Sequence, residues 1–297
     1  MRSEAWALCV AVTMLACEGR GSRGLQSAHT LRPEVCVALR VVGEPPARAV
    51  LVQALTLGSH DHLQLDTGAD RSVLYGSPVP TRLELGLFPD RTVTAALRPD
   101  LPIEAIAPAG RLVGTVGTDA LAGRTLVFDT PAMRLCSVVD PPPTALPSRF
   151  AHGKILVSLS MGDTRLEDVA FDTGAQFGLV VDPPDFERLT GRAVTDPHNG
   201  HVSVPAWGRR VAVVTAPTRA DVTLGGLGLG RLEVATVPAA PDTFARVRRF
   251  RLRGLLGWPA LAGRVFALTL GPGEGLSQKS PRPCFAGVTS DGILPLP

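Results

Sequence analysis

The stretch Leu63-Gln64-Leu65-Asp66-Thr67-Gly68-Ala69-Asp70 decides how this chain folds. Apolar and polar residues alternate up to Asp66, which predicts a half-buried strand. The glycine that follows predicts a sharp turn, because a residue with a Cβ resists such a conformation. An aspartate is therefore presented at the tip of a strand. The pattern returns at Val169-Ala170-Phe171-Asp172-Thr173-Gly174-Ala175, and the two aspartates lie 106 positions apart.

A second pair of motifs follows the first pair. Val116-Gly117-Thr118-Asp119-Ala120-Leu121-Ala122-Gly123-Arg124 matches Leu256-Gly257-Trp258-Pro259-Ala260-Leu261-Ala262-Gly263-Arg264. Because an aspartate loop precedes a glycine motif twice, we infer an internal duplication. The glycine motifs lie 140 positions apart. The second copy therefore carries about 34 extra residues, which we expect between Asp182 and Arg253.

These motifs carry a family resemblance. An apolar residue followed by Asp-Thr-Gly-Ala and an apolar strand resembles the catalytic loop of aspartic peptidases. The first copy is most similar to the retropepsin type, and two copies in one chain resemble the pepsin-like arrangement, as in a bacterial aspartyl protease. The resemblance implies an all-β fold with two homologous lobes of the acid-protease β-barrel type and a cleft between them. It also implies that the strand ending in each glycine motif packs behind a catalytic loop, where glycine suits the close approach of two backbones. We expect the lobes at 34–140 and 154–272, a Pro-rich linker at 141–153 and a tail at 273–297.

The resemblance also implies a mechanism and its residues. Two carboxylates a few ångströms apart share one proton, as aspartic proteases in general illustrate. Asp66 and Asp172 would be the catalytic pair, one activating a water and the other polarising the carbonyl. The supporting residues implied are Thr67, Gly68, Ala69, Thr173, Gly174 and Ala175. The resemblance implies that each threonine hydroxyl bonds the backbone of the opposite loop, and that the two glycines offer backbone N–H groups to the carboxylates. No metal, other cofactor or covalent intermediate is required.

Substrate contacts are less completely matched. Asp70 corresponds to an aspartate that contacts the substrate backbone in retropepsins, and Gln176 stands in its place in the second copy. The arginine that usually pairs with this aspartate is replaced by Thr118. Both Asp70 and Gln176 are nevertheless candidate substrate-binding residues.

Two functions follow from the motifs. The first is an aspartic endopeptidase that hydrolyses peptide or protein substrates and acts as a monomer. The second is a peptidase-like module that binds a peptide or protein without cutting it. Two intact Asp-Thr-Gly-Ala loops favour catalysis. The unusual Trp258-Pro259 and the lack of a recognisable glycine-rich flap in residues 76–111 favour the binding module.

Residues 1–24 predict export. The apolar run from Ala5 to Ala16 is too short to span a bilayer and is typical of a secretory signal. Met14-Leu15-Ala16-Cys17 resembles a bacterial lipoprotein cleavage site, which would lipidate Cys17 and attach the protein to a membrane. The alternative is a signal cleaved elsewhere near Ala16 to Gly24. We expect a periplasmic, membrane-anchored lipoprotein or a secreted protein.

Net charge and residue spacing bear on four other features: nucleic-acid binding, a disulfide, a metal site and a phosphate loop. Thirty basic and 27 acidic residues give a net charge of +3, which argues against nucleic acid as a partner. Cys36 and Cys136 form either a disulfide or two buried thiols, with neither alternative preferred. The histidines at 60, 62, 198 and 201 are expected in solvated loops rather than in a metal site. The glycine-rich residues 225–230 are expected to form a β-turn rather than a phosphate loop.

Overall fold

The computed structural model of the chain describes residues 35–43, 48–76, 82–87, 92–99, 104–105, 110–138, 145–206, 209–238 and 251–270. Most of these residues lie in strands, and the two helices described, Thr118–Leu121 (α1) and Pro183–Thr190 (α2), are short. The all-β class expected from the sequence is therefore confirmed. All described residues belong to one compact unit. The predicted signal with Cys17 and the tail at 273–297 lie outside the described residues.

Short strands occupy both halves of the chain. In the first half (35–138) they are Val35–Ala38 (β1), Arg40–Val42 (β2), Ala49–Val52 (β3), Asp61–Leu65 (β4), Val73–Tyr75 (β5), Arg82–Glu84 (β6), Thr92–Thr94 (β7), Ala96–Arg98 (β8), Glu104–Ala105 (β9), Arg111–Val116 (β10), Thr125–Asp129 (β11) and Arg134–Val138 (β12). In the second half (145–270) they are Arg149–Ala151 (β13), Lys154–Met161 (β14), Thr164–Asp172 (β15), Leu179–Val181 (β16), Gly200–Ala206 (β17), Arg209–Pro217 (β18), Val222–Leu224 (β19), Leu227–Gly230 (β20), Glu233–Thr236 (β21), Gly254–Gly257 (β22) and Val265–Thr269 (β23). A 3₁₀ turn at Trp258–Ala260 follows β22.

The strands form three larger sheets and one small one. The first half contains a sheet in the order β2-β3-β4-β10-β5-β8, with β9 paired to β10. The second half contains the order β17-β18-β21-β16-β22-β15-β14-β19-β20, with β13 paired to β14. A four-stranded sheet, β1-β12-β11-β23, joins the two halves, and β6 pairs with β7.

The same strand connectivity surrounds each aspartate motif. In the first half, β10 lies between β4 and β5, parallel to β4 and antiparallel to β5. In the second half, β22 lies between β15 and β16 with the same two senses. The glycine motifs follow β10 and end β22, and each leads into a helical turn. The two aspartate loops therefore occupy equivalent places in two copies of one connectivity.

The pairing of β11 with β23 has the register of a two-fold contact. Val127 lies opposite Ala267, and these two positions are separated by the same 140 residues as the glycine motifs. One residue along the strands from this central pair, Phe128 lies opposite Phe266. Such mutual contact between equivalent positions is what a two-fold arrangement produces. The register supports the internal duplication independently of the sequence motifs.

An aromatic cluster anchors the second aspartate strand to the joining sheet. Phe128 and Phe266 stack with ring centroids 4.9 Å apart. Phe171 packs edge-on against both rings, at 5.5 Å and 5.8 Å. Each such pair contributes about 0.5–1.5 kcal/mol beyond the burial of its area. Because Phe171 immediately precedes Asp172, this packing fixes the strand that presents the second carboxylate.

A disulfide joins β1 to β12. Cys36 and Cys136 are direct neighbours in the antiparallel pairing, and their sulfur atoms are bonded. Of the two alternatives left open by the sequence, the structure contains the bridge. It closes a loop with a sequence separation of 100 residues. In the chain-entropy account, a loop of this length stabilises the folded state by about 4–5 kcal/mol.

Glycines 225 and 226 form the turn between β19 and β20, as expected, whereas residues 227–230 of the same glycine-rich stretch form β20. The linker was expected to reach residue 153, but Arg149–Ala151 already forms β13. The second sheet therefore begins earlier than predicted, because a two-residue turn folds β13 onto β14.

The second half holds the longer connection, as the duplication predicted. Between β5 and β10 the first half has residues 76–110, whereas between β16 and β22 the second half has residues 182–253. Helix α2 and strands β17–β21 occupy the longer segment. Within the described parts of the chain, no helix is long and apolar enough to cross a membrane.

Candidate active site

Each aspartate ends a strand and is held by its own loop. Asp66 follows β4, and the backbone N–H groups of Gly68 and Ala69 donate to its Oδ1 at 2.8 Å and 3.1 Å. Asp172 ends β15, and the Gly174 N–H donates to its Oδ1 at 2.8 Å. These donors fix each carboxyl group at the tip of its strand. The resemblance implied this role for the two glycine N–H groups.

The two carboxyl groups meet. The carboxyl groups of Asp66 and Asp172 lie within hydrogen-bonding reach of each other, although the two residues are 106 positions apart in the chain. A methyl group added at Gly68 would overlap the carboxyl group of Asp172, and one at Gly174 would lie 2.9 Å from that of Asp66. Neither glycine has a positive φ. The expected reason for glycine, a turn conformation that a residue with a Cβ resists, is therefore wrong. Glycine is required because each loop approaches the opposite carboxyl group so closely.

Two threonines lock the loops together. The Thr67 N–H donates to Thr173 Oγ1 at 3.0 Å, and the Thr173 N–H donates to Thr67 Oγ1 at 3.0 Å. Their hydroxyls then donate to backbone carbonyls of the opposite strands, Thr67 to Phe171 at 2.8 Å and Thr173 to Leu65 at 2.6 Å. Both side chains are fully buried. The four bonds hold the carboxyl groups in register, as the resemblance implied.

Burial and mutual repulsion change the ionisation of the pair. Burial raises the pKa of Asp66 well above its usual value, and the charge of Asp172 raises it further. Burial also raises the pKa of Asp172, against the lowering effects of its hydrogen bonds to Asp66 and to backbone N–H groups. Because two close carboxylates cannot both ionise readily, they share a proton over a wide pH range. That proton belongs to the pair rather than to one residue.

The glycine motifs support the loops from behind. A methyl group at Gly117 would lie 2.6 Å from the backbone carbon of Arg71, and one at Gly257 would overlap the backbone oxygen of Phe177. These contacts confirm the expectation that two backbones approach closely at this motif. The Thr118 N–H donates to the Ala69 carbonyl at 2.9 Å, which ties α1 to the first aspartate loop.

The candidate substrate residues flank the pair without touching it. Asp70 is exposed at the end of the first loop. Gln176 is half-buried after the second loop, and its Oε1 has no hydrogen-bond partner among the described residues. Thr118, where an arginine would be usual, donates its hydroxyl to the carbonyls of Gly153 at 2.6 Å and Ala69 at 3.2 Å. It therefore bonds to backbone rather than to Asp70.

Lys154 is the site residue that sequence reasoning missed. Its Nζ donates to the carbonyl oxygen of Gly68, although Lys154 begins the first long strand of the other half. Its positive charge lowers the pKa of both Asp66 and Asp172, opposing the effect of burial. The sequence signal was a lysine placed directly after a turn glycine, next to a strand that pairs with the catalytic one.

The other polar candidates lie elsewhere. His198 is exposed in a loop, as expected, and its ring bonds to Asp196. The expected loop placement is wrong for His62, which lies in β4 where burial lowers its pKa, and for His201, which lies in β17. No group of three or more metal-ligating side chains occurs in the part of the chain that the structure describes. The buried Tyr75 hydroxyl bonds to Thr115 inside the first sheet.

Comparison with known proteins adds no family. Neither a scan against protein-family models nor a search of curated proteins found a match.

Proposed function

We propose that this protein is an aspartic endopeptidase in which Asp66 and Asp172 activate a water to hydrolyse peptide bonds. The observation that carries the proposal is the closely opposed carboxyl pair, held by equivalent loops of a repeated connectivity. A structural ion pair does not account for this arrangement, since two like charges held together away from water destabilise the fold. Placing the buried Asp66 beside the half-buried Asp172 is instead an arrangement that tunes one acid to accept a proton and the other to donate one.

The reaction follows from the shared proton. A water bound between the carboxyl groups loses a proton to the ionised aspartate as it attacks the substrate carbonyl. The protonated aspartate donates to the carbonyl oxygen and stabilises the tetrahedral intermediate. The first aspartate then returns its proton to the leaving nitrogen. The buried threonine bonds keep the two carboxyl groups in place throughout, so that little reorganisation accompanies each transfer.

The proposal includes the architecture around the pair. We propose two homologous lobes of the acid-protease type, with the substrate in a cleft between them that ends on the two loops. The repeated strand order and the β11–β23 register support this arrangement. The exposed Asp70 carboxylate and the Gln176 amide lie beside the loops, where they would bind substrate backbone groups. The chain would act as a monomer, because it supplies both aspartates itself.

Turnover of a mixed peptide library tests the proposal. Purified protein is incubated with the library between pH 3 and pH 7, with and without a statine-type inhibitor, and products are identified by mass spectrometry. We expect cleavage that the inhibitor abolishes. The binding-module alternative predicts saturable binding of peptides without any cleavage, and that result would replace the proposal.

We also propose that the protein is exported, either anchored through a lipidated Cys17 or secreted. The Cys36–Cys136 disulfide supports export, because such bonds persist in oxidising compartments. Labelling with a fatty-acid analogue during expression in a bacterium tests the anchor. Incorporation that disappears in Cys17→Ser supports lipidation. Label-free protein released without residues 1–24 supports secretion, and uncleaved protein in the cytoplasm would refute both.

A further inference from the structure

A tight turn from the second half reaches the first aspartate loop. Residues His152 and Gly153 connect β13 to β14, and both have positive φ, 54° and 70°. This is the geometry of a two-residue type I′ hairpin, which places the next residue, Lys154, in a fixed direction. Lys154 is half-buried and bonds to the Gly68 carbonyl. A hydrogen bond from a lysine to a separate segment costs side-chain conformational entropy. The ordered backbone at the start of β14 therefore favours the bond from Lys154.

Two further contacts hold this turn against the opposite loop. The Gly153 carbonyl accepts the hydroxyl of Thr118 at 2.6 Å. A methyl group at Gly153 would lie 2.8 Å from the Cβ of Asp70, so the turn and the loop are in close contact. These two contacts fix the backbone directly before Lys154, and they therefore position its ammonium group against the Gly68 loop.

The cation occurs in only one of the two copies. Leu51 and Leu156 occupy equivalent places, since each lies opposite the residue two positions before a catalytic aspartate. Two positions before Leu156 is Lys154, whereas two positions before Leu51 is Ala49. The lysine is therefore not part of the repeated framework. It makes an otherwise symmetric pair of loops electrostatically asymmetric.

The elements that contact Lys154 and its turn carry five other ionisable groups besides His152 of the turn itself. They are Asp66, Asp70 and Arg71 on the first loop, Asp119 on α1 and Asp172 at the end of β15. Asp119 bonds to the hydroxyl and N–H of Ser72, and both Asp70 and Arg71 are exposed to water. Asp66 is buried and Asp172 is half-buried, so this carboxyl pair is where water screens the charge of Lys154 least.

We propose that Lys154 is a positioning residue of the aspartate pair: it clamps the Gly68 loop and stabilises the single negative charge that the pair carries. The proposal rests on the proposed function and adds a control of its working pH. A buried pair alone would hold its protons to high pH. The nearby cation favours the singly ionised, active form, and so extends activity toward lower pH.

Three variants separate the charge from the hydrogen bond. Lys154→Arg keeps both, Lys154→Gln keeps a donor without the charge, and Lys154→Met removes both. Arg165→Met serves as the control, because it removes one positive charge from an exposed surface pair. Carboxyl carbons labelled with carbon-13 at aspartate report the titration of the pair by NMR, and pH–rate profiles report its effect on turnover.

We expect Lys154→Met and Lys154→Gln to move both apparent pKa values of the pair, and both limbs of the profile, upward by about one pH unit. Lys154→Arg and Arg165→Met should leave them unchanged. An unshifted titration in Lys154→Gln, or an equal shift in Lys154→Arg, would overturn the proposal. Should Lys154→Met fail to fold, Lys154→Gln still decides. The NMR titration needs no turnover, so failure of the proposed function would be recognised separately, by wild-type protein that cleaves no peptide.

Discussion

The buried threonine bonds make the most quantitative prediction, through the substitution Thr173→Val. Valine has nearly the same shape as threonine but lacks the hydroxyl. The change leaves the Thr67 N–H without its acceptor and removes the bond to the Leu65 carbonyl. A buried donor left unpaired costs about 1–3 kcal/mol, and a lost hydrogen bond costs about 0.5–1.5 kcal/mol more. The free energy of unfolding should therefore fall by about 1.5–4.5 kcal/mol.

Two control variants isolate the role of the hydroxyl. Thr173→Ser keeps the hydroxyl and loses one buried methyl group, which should cost about 1 kcal/mol. Thr190→Val removes a hydroxyl that donates to the Phe186 carbonyl within its own helix, accepts from the Arg192 N–H and does not join the two loops. The bond back to the preceding helical turn adds little to stability. The bond from Arg192 is only partly buried, so the loss of both should cost about 1 kcal/mol.

Urea unfolding measures these differences. Fluorescence of the buried Trp258 follows the transition, and linear extrapolation gives the free energy of unfolding in water. The free energy of unfolding should decrease in the order wild type, Thr173→Ser, Thr173→Val. A Thr173→Val protein as stable as Thr173→Ser would show that the interlocking bonds contribute nothing, and would refute this account of how the loops are held.

Three further predictions concern the loops and the disulfide. Gly68→Ala should abolish cleavage, because the added methyl group overlaps the carboxyl group of Asp172. The control Gly228→Ala should cleave normally, because nothing lies within 4 Å of its added methyl group. Equal activity in both variants would contradict the close approach at Gly68. Ala69→Ser and Ala175→Ser should move the pH–rate profile to lower pH, since a donor beside each carboxylate lowers its raised pKa, and an upward shift would be contrary. Cys36→Ser should lower the free energy of unfolding by about 2–5 kcal/mol in non-reducing buffer and much less after reduction of both proteins; unchanged stability before reduction would argue against the bridge.

The aspartate loops and glycine motifs were predictable because their signals are local and repeated. Asp66 and Asp172 each lie at the end of a strand, and the repeat shows which positions of the two copies correspond. Glycine at 117 and 257 was expected from close backbone approach, and the structure agrees. For Gly68 the residue was identified but the reason was not. Its constraint comes from a carboxyl group 104 positions away, which no local pattern encodes.

Lys154 could not be found from local pattern alone. A lysine at the start of a strand is ordinary on a solvated surface, and only the β13–β14 turn directs it onto the opposite loop. Comparing the two copies residue by residue would have shown Ala49 at the matching place, which is a usable signal. It requires the strand register, which depends on tertiary pairing.

Helix α2 was missed although its end signals are present. Asp182 caps it by accepting from the Asp185 N–H, prolines occupy its first positions, and Gly191 ends it with a positive φ of 72°. The helix has only eight residues, too few for apolar periodicity to stand out in a chain rich in proline and glycine. The capping residues were the stronger evidence for a helix at this position.

If Asp66 and Asp172 act as one catalytic unit, the loss of either should remove nearly all activity. This is measured as kcat for peptide cleavage by wild type, Asp66→Asn, Asp172→Asn and the double variant, each confirmed to be folded by circular dichroism. We expect each single change to lower kcat by more than about a thousandfold, and the double variant to be no worse than either single one. A single variant that keeps more than about a tenth of wild-type kcat, or losses that multiply in the double variant, would contradict it.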